Sequence, residues 1–149
     1  FHFAGRNADW LRVDGENFAA APVERILRRY PGVTGVAVFG VPDDRTVDDQ
    51  DMAVLELDAD AAAAFDPAAF DAFLDEQPDL GPKWRPAFVR IDDDLPKLSS
   101  LKIDKKRLRR DAWHADDVRW RPTRGAMLGT LTDDDRRRLD PLLTNGGAT

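Results

Sequence analysis

The stretch "VTGVAVFGVP", residues 33–42, decides what kind of fold the chain can have. It is apolar on both parities: Val36 and Val38 fall on one face of a strand, Ala37, Phe39 and Val41 on the other. A strand of that pattern has to be covered on both sides. Pro31-Gly32 punctuates its start and Pro42 its end. The next apolar run, "DMAVLELD" (residues 51–58), is its natural pairing partner. The acidic "DDRTVDDQ" between them (residues 43–50) reads as a solvated hairpin connection.

Working outward, "WLRVDGEN" (residues 10–17) sets Trp10, Leu11 and Val13 before Asp14-Gly15, a strand running into a tight turn. In "APVERILRRY" (residues 21–30), Val23, Ile26, Leu27 and Tyr30 stand at helical spacing, with Pro22 suited to the first turn. Asp66 as N-cap and Pro67 at the first position open a second helix whose apolar stripe is Phe70, Phe73 and Leu74. "WRPAFVRID" (residues 84–92) is a third strand entered through Pro86, "DDDLPKLSS" (residues 92–100) the loop after it, and roughly Asp104–Arg110 a short helix. After Trp113 the pattern weakens to turn residues and one short helix opening at Thr132 with acids in its first turn. The final "TNGGAT" reads as frayed. There is no internal repeat and no low-complexity linker beyond an alanine-rich patch near residue 62. Strands and helices alternate too irregularly for a doubly wound sheet. The expectation is an α+β fold, a small mixed sheet with packed helices.

Composition excludes several classes. The chain has 149 residues, enough for one domain with a real core, and a net charge of −6. That charge argues against a nucleic-acid partner, because such binding is dominated by neutralising phosphates. With no cysteine and two distant histidines, His2 and His114, the chain has no thiolate chemistry, and its two histidines make a poor metal site. No apolar run approaches the roughly 20 residues needed to span a bilayer and nothing at the start reads as a signal peptide, so a cytoplasmic location is the default. The opening "FHFAGRNADW" lacks a methionine and is already strand-like, which reads as a piece of something longer.

Against the acidic total, "LKIDKKRLRR" (residues 101–110) concentrates positive charge. Lys105, Lys106, Arg107, Arg109 and Arg110 fall on the short helix, where a basic run is ordinarily a solvated face. Lys102 differs. It lies on the loop before that helix, between Leu101 and Ile103, where an ammonium can be aimed into a cleft, although a lone lysine there is more often structural.

A second block gives Lys102 a context. "GRNADWLRVDGENFAAAPVE" (residues 5–24), "YPGVTGVAVFGVP" (residues 30–42), "RPAFVRI" (residues 85–91), "LSSLKIDKKRL" (residues 98–108) and the tail "DDVRWRPTRGAMLGTLTDDD" (residues 116–135) together resemble the C-terminal domain of the adenylate-forming enzymes. Within that superfamily the sequence is most similar to the fatty-acid transport protein and very-long-chain acyl-CoA synthetase branch. The resemblance covers nearly the whole chain, in order. It implies residues 1–112 as the mobile C-terminal domain, with residues 1–8 the end of the preceding domain and the hinge, and residues 113–149 as a partly irregular extension. It also implies a large N-terminal domain as the chain's partner.

The activity so implied is an ATP-dependent CoA ligase for a fatty acid or other hydrophobic carboxylate (long-chain, very-long-chain or steroid), acting through an acyl-adenylate. ATP, coenzyme A and magnesium are its expected cofactors, the metal mainly on the N-terminal domain and nucleotide. The catalytic lysine of the family falls on Lys102, a nucleotide-phosphate contact on Arg6, the hinge on Ala8, and the loop lining the pantetheine tunnel on Gly15, Glu16 and Asn17. Two departures stand out. Ala8 replaces the aspartate or lysine common at the hinge, and Leu101 replaces the glycine that many relatives carry before the lysine; the transport-protein branch itself has small and bulky residues at these two points. Transfer to a carrier protein instead of coenzyme A, a non-catalytic binding module of the same fold, and a peripheral membrane contact through the basic helix remain open.

Overall fold

The computed structural model describes residues 10–13, 16–42, 49–81, 84–115, 117–122 and 126–147. The apolar run decides the centre as its pattern demands. Strand β3 (Val33–Val41) pairs antiparallel with β4 (Gln50–Leu57), Val38 opposite Ala53 and Phe39 opposite Met52. Of the acidic connection, residues 43–48 lie outside the described residues. β4 then pairs in parallel with β5 (Phe88–Asp92). A parallel neighbour needs a long crossover, and helices α2 (Ala59–Ala63) and α3 (Pro67–Asp75) supply it.

Both faces of this sheet are covered. On one side Val36, Val38, Leu55 and Val89 pack with Val23 and Leu27 of helix α1 (Ala20–Leu27) and with Phe70 and Leu74 of α3. The hairpin of β1 (Trp10–Val13) and β2 (Glu16–Ala19) adds Leu11 and Phe18 to this layer. On the other side Phe39, Val54 and Phe88 meet Leu108 of helix α4 (Lys105–Asp111) and the fully buried Trp113. Asp66 caps α3 by accepting from Ala68 N–H at 3.1 Å. Gly32, at φ +90°, turns the chain from α1 into β3, in a region that glycine enters without steric cost.

Four elements differ from the sequence expectation: α2, two short strands after Trp113 and the end of the last helix. The alanine-rich patch forms α2, capped by Asp58, which accepts from Ala61 N–H at 2.8 Å. The segment after Trp113 extends the sheet: β6 (Val118–Trp120) pairs with β5 and β7 (Gly129–Thr130) with β6, giving the order β3-β4-β5-β6-β7. Helix α5 (Asp133–Gly147) opens at Thr132, where the hydroxyl accepts from Asp135 N–H at 3.1 Å and the Asp135 carboxylate from Thr132 N–H at 3.0 Å. It continues past Thr144, where fraying was expected, because Leu139, Leu142 and Leu143 seat it on the second core layer.

Candidate active-site loop around Lys102

At the end of β5, Asp92 turns the chain: its carboxylate accepts from Asp93 N–H at 2.9 Å. Leu95 is then buried as an anchor. From Pro96 to Asp104 the chain makes a narrow hairpin. Lys97 and Ile103 form a β-bridge, Leu98 N–H donates to Lys102 C=O at 2.8 Å, and Asp104 N–H donates to Pro96 C=O at 2.8 Å. The turn closes where Leu101 N–H donates to Leu98 C=O at 2.8 Å. Leu101 sits at φ +71°, in the left-handed region, with 78% of its surface exposed. A branched side chain is costly there. Strain of this kind persists where the surrounding structure holds it in place.

Lys102 follows directly and is exposed. Asp104 then starts α4, its carboxylate accepting from Arg107 N–H at 3.2 Å. The loop borders a groove of about 740 Å³, shared with α1 and the start of β3. Its cationic lining is Arg28, Lys97, Lys102, Lys105 and Lys106, against the acids Glu24, Glu56 and Asp104. An acidic chain therefore presents a locally cationic groove.

The basic helix divides into two kinds of residue. Lys106, Arg107 and Arg110 are exposed, as a solvated face should be. Lys105 and Arg109 instead fasten α4 to β3, the edge strand of the sheet. Lys105 Nζ lies 2.7 Å from Glu24 Oε2, and that same oxygen accepts from Val38 N–H at 2.9 Å. Arg109 Nε donates to Gly40 C=O at 3.0 Å. These side chains occupy main-chain groups that an open sheet edge leaves unpaired.

Glu56 organises the other flank. Its carboxylate accepts from Leu95 N–H at 2.8 Å and Thr34 Oγ1 at 3.1 Å, and lies 3.5 Å from Lys97 Nζ. Partial burial works against its charge, yet these donors outweigh it and hold the carboxyl below its ordinary value. The sequence reading missed Glu56. Its signal was an acid set between leucines in an otherwise apolar strand.

Of the other predicted site residues, Asn17 is exposed on β2 and does not line the groove. Glu16 pairs with Val13 across the hairpin. Arg6, Ala8 and Gly15 lie outside the described residues. Among the described residues, no group of three or more His, Asp or Glu side chains could hold a metal. No helix among them is long and apolar enough to cross a membrane.

A small mixed sheet covered on both faces by helices is the form of the C-terminal domain of adenylate-forming synthetases. Similarity to known proteins agrees. The steroid-22-oyl-CoA synthetase of Rhodococcus jostii is 48% identical over 141 residues, 93% of this chain and 25% of that protein. A medium/long-chain-fatty-acid–CoA ligase of Mycobacterium tuberculosis is 48% identical over 119 residues, 80% of this chain and 23% of that protein. The human long-chain fatty acid transport protein 1 is 34% identical over 112 residues, 75% of this chain and 17% of that protein.

Among solved structures, a Mycobacterium tuberculosis fatty acyl CoA synthetase superposes with a TM-score of 0.61 at 25% identity, over 70% of this chain and 20% of that one. ATP-bound MatB from Rhodopseudomonas palustris gives 0.60 at 31%, over 72% and 20%. The Bacillus subtilis o-succinylbenzoate CoA synthetase in complex with its acyl-adenylate intermediate gives 0.58 at 26%, over 75% and 21%. No family model matches the chain. The chain spans about a quarter of the length of the first two curated relatives. These likenesses place it among the adenylate-forming acyl-CoA synthetases, in the C-terminal domain of that family.

Proposed function

We infer that this chain is the mobile C-terminal domain of an ATP-dependent ligase that activates a fatty acid or another hydrophobic carboxylate, such as a steroid side-chain acid, and transfers the acyl group to coenzyme A. The observation that carries the reading is the presentation of Lys102: an exposed ammonium, on a hairpin tied at both arms, at the rim of a cationic groove. The names of the relatives, a steroid-22-oyl-CoA synthetase and a medium/long-chain-fatty-acid–CoA ligase, support the substrate class.

In the first half-reaction a carboxylate oxygen attacks the α-phosphorus of ATP and pyrophosphate leaves, giving the acyl-adenylate. The obstacle is the approach of one anion to another. A compact ammonium aimed at both is worth most in a closed, water-poor cleft, where preorganised charge contributes heavily to catalysis. Lys102 takes that role once the large N-terminal domain closes over the groove. In the second half-reaction the thiol of coenzyme A displaces AMP after the small domain swings about its hinge at Ala8. Residues 1–8 then belong to the preceding domain and the hinge, residues 9–112 to the moving body, and residues 113–149 to its extension. Arg6 contacts the nucleotide phosphates, and Gly15, Glu16 and Asn17 line the pantetheine tunnel. The described residues offer no metal cluster, so this reading leaves magnesium to the nucleotide and the N-terminal domain.

The test is carboxylate-dependent pyrophosphate exchange in the full-length polypeptide, wild type against Lys102→Ala, with a panel of fatty and steroid acids. The expected result is exchange with at least one acid, lost in the variant, while thioester formation from supplied acyl-adenylate survives. Exchange that persists in Lys102→Ala overturns the role given to this lysine. Its absence from folded wild type across the panel favours a non-catalytic module.

A further inference from the structure

The Lys102 ammonium has no hydrogen bond or ion pair among the described residues, so its aim depends on how its hairpin is held. The outer arm runs into α4, whose N-cap is Asp104, its carboxylate accepting from Arg107 N–H. The inner arm, Leu95 to Lys97, has a different anchor. Leu95 N–H and Lys97 Nζ both engage the carboxylate of Glu56, at 2.8 and 3.5 Å. From Lys97 the tie passes to Ile103 through the β-bridge, and from Leu98 to the Lys102 carbonyl. Glu56 is therefore joined to the backbone of Lys102 through consecutive short contacts.

The sheet is shaped to admit this carboxylate. Gly35 is the residue opposite Glu56, next to an irregularity in the β3–β4 register. A Cβ at Gly35 would stand 2.9 Å from Glu56 Oε1 and would push that oxygen from the place where it lies across the edge strand to reach the Thr34 hydroxyl. An apolar side chain would suit the end of a strand packed between two layers at lower desolvation cost. The acid and its facing glycine together serve the loop.

We propose that Glu56 is a positioning residue for adenylation, its carboxylate fixing the inner arm of the hairpin that aims Lys102. The proposal rests on the catalytic reading of Lys102. It predicts that loosening Glu56 costs the step Lys102 serves and spares the other, because small misplacements of a catalytic group carry large rate penalties.

The experiment uses the full-length polypeptide with palmitate, a saturated C24 acid and a steroid side-chain acid as probes. Glu56→Ala, Glu56→Gln, Lys102→Ala and the double alanine variant are compared in pyrophosphate exchange and in thioester formation from supplied acyl-adenylate. For Glu56→Ala the expected loss in exchange kcat is about tenfold to a hundredfold. KM for ATP and the thioester step should both stay within about twofold. Glu56→Gln, which can still accept from Leu95 N–H, should recover part of the loss, and adding Glu56→Ala to Lys102→Ala should cost nothing further.

Wild-type exchange in folded Glu56→Ala, equal loss in both half-reactions, or full additivity in the double variant overturns the proposal. Loss of exchange in Lys102→Ala with Glu56→Ala intact sinks this inference alone. Exchange surviving in Lys102→Ala, or absent from wild type with all three acids, removes the reading beneath it. Should Glu56→Ala fail to fold, Gly35→Ala displaces the same carboxylate and must show the same split between half-reactions.

Discussion

Asp71 on α3 and Arg121, just beyond β6, form a buried two-point ion pair, with Arg121 Nη1 3.1 Å from Asp71 Oδ2 and Nη2 on the other carboxylate oxygen. Arg121 also donates to Pro86 C=O at 3.0 Å and Ala126 C=O at 2.8 Å. One guanidinium thus joins the crossover helix, the entry to β5 and the tail. Removing a single partner of such a pair strands a buried charge. Arg121→Met or Asp71→Leu should each destabilise by about 3–5 kcal/mol in urea melts, and the double variant should cost less than the sum. Full additivity would show that the two residues act separately.

Glu24 is predicted to matter for a different reason. Its carboxylate serves the Val38 N–H on the open edge of β3 and the Lys105 ammonium of α4 at once. Glu24→Ala leaves that edge amide without its acceptor, a loss of about 1–3 kcal/mol. Amide hydrogen exchange reports it directly: Val38 should exchange faster than Ala37, whose amide faces into the sheet. Unchanged protection at Val38 would mean that water replaces the carboxylate without cost.

Leu101 carries strain that a glycine relieves. At φ +71°, a side chain costs about 1–2 kcal/mol, and the exposed leucine loses little packing when removed. Glycine returns about half of that gain as extra chain entropy in the unfolded state. Leu101→Gly should therefore raise stability by about 0.5–1 kcal/mol in the same melts. A lower stability would mean that Leu101 makes contacts worth more than its backbone strain.

What the sequence made legible follows from signal length. Val33–Val41 carries both parities over nine residues, and Asp66-Pro67 ahead of Phe70 and Leu74 combines a cap with a periodic stripe. Those elements stand where the sequence reading put them. β6 and β7 are three and two residues long, too short for alternation to register, so the tail looked irregular although it completes the sheet. α2 is held by alanine propensity and the Asp58 cap and buries no residue, so no apolar period marked it. At the site, the resemblance to the family is what singled out Lys102 as a candidate. The anchoring contacts of Glu24 and Glu56 link residues distant in sequence, and no local spacing encodes them. The same holds for Leu101: its left-handed backbone explains why a glycine suits the position before the lysine, but a leucine letter does not announce it.

Asp51 supplies a pH dependence whose sign can be worked out. Burial pushes its carboxyl well above the ordinary range, and the opposing pull of its own and the Ala87 backbone N–H groups and of the Arg121 charge is too weak to restore it. One carboxyl oxygen, Oδ2, has no hydrogen-bond partner among the described residues. Folded protein thus keeps the proton while the unfolded chain releases it near the usual aspartate value of about 3.9. Below that value both states are protonated and Asp51 is neutral in the balance. As pH rises above it, only the unfolded state gains by ionising, so Asp51 costs progressively more stability until the folded pKa is reached. Asp51→Asn keeps the shape and removes the titration. Urea melts should find the variant similar to wild type near pH 3 and increasingly more stable toward neutral pH. A difference independent of pH would mean that Asp51 is ionised in the folded protein, held by more than its neighbours here provide.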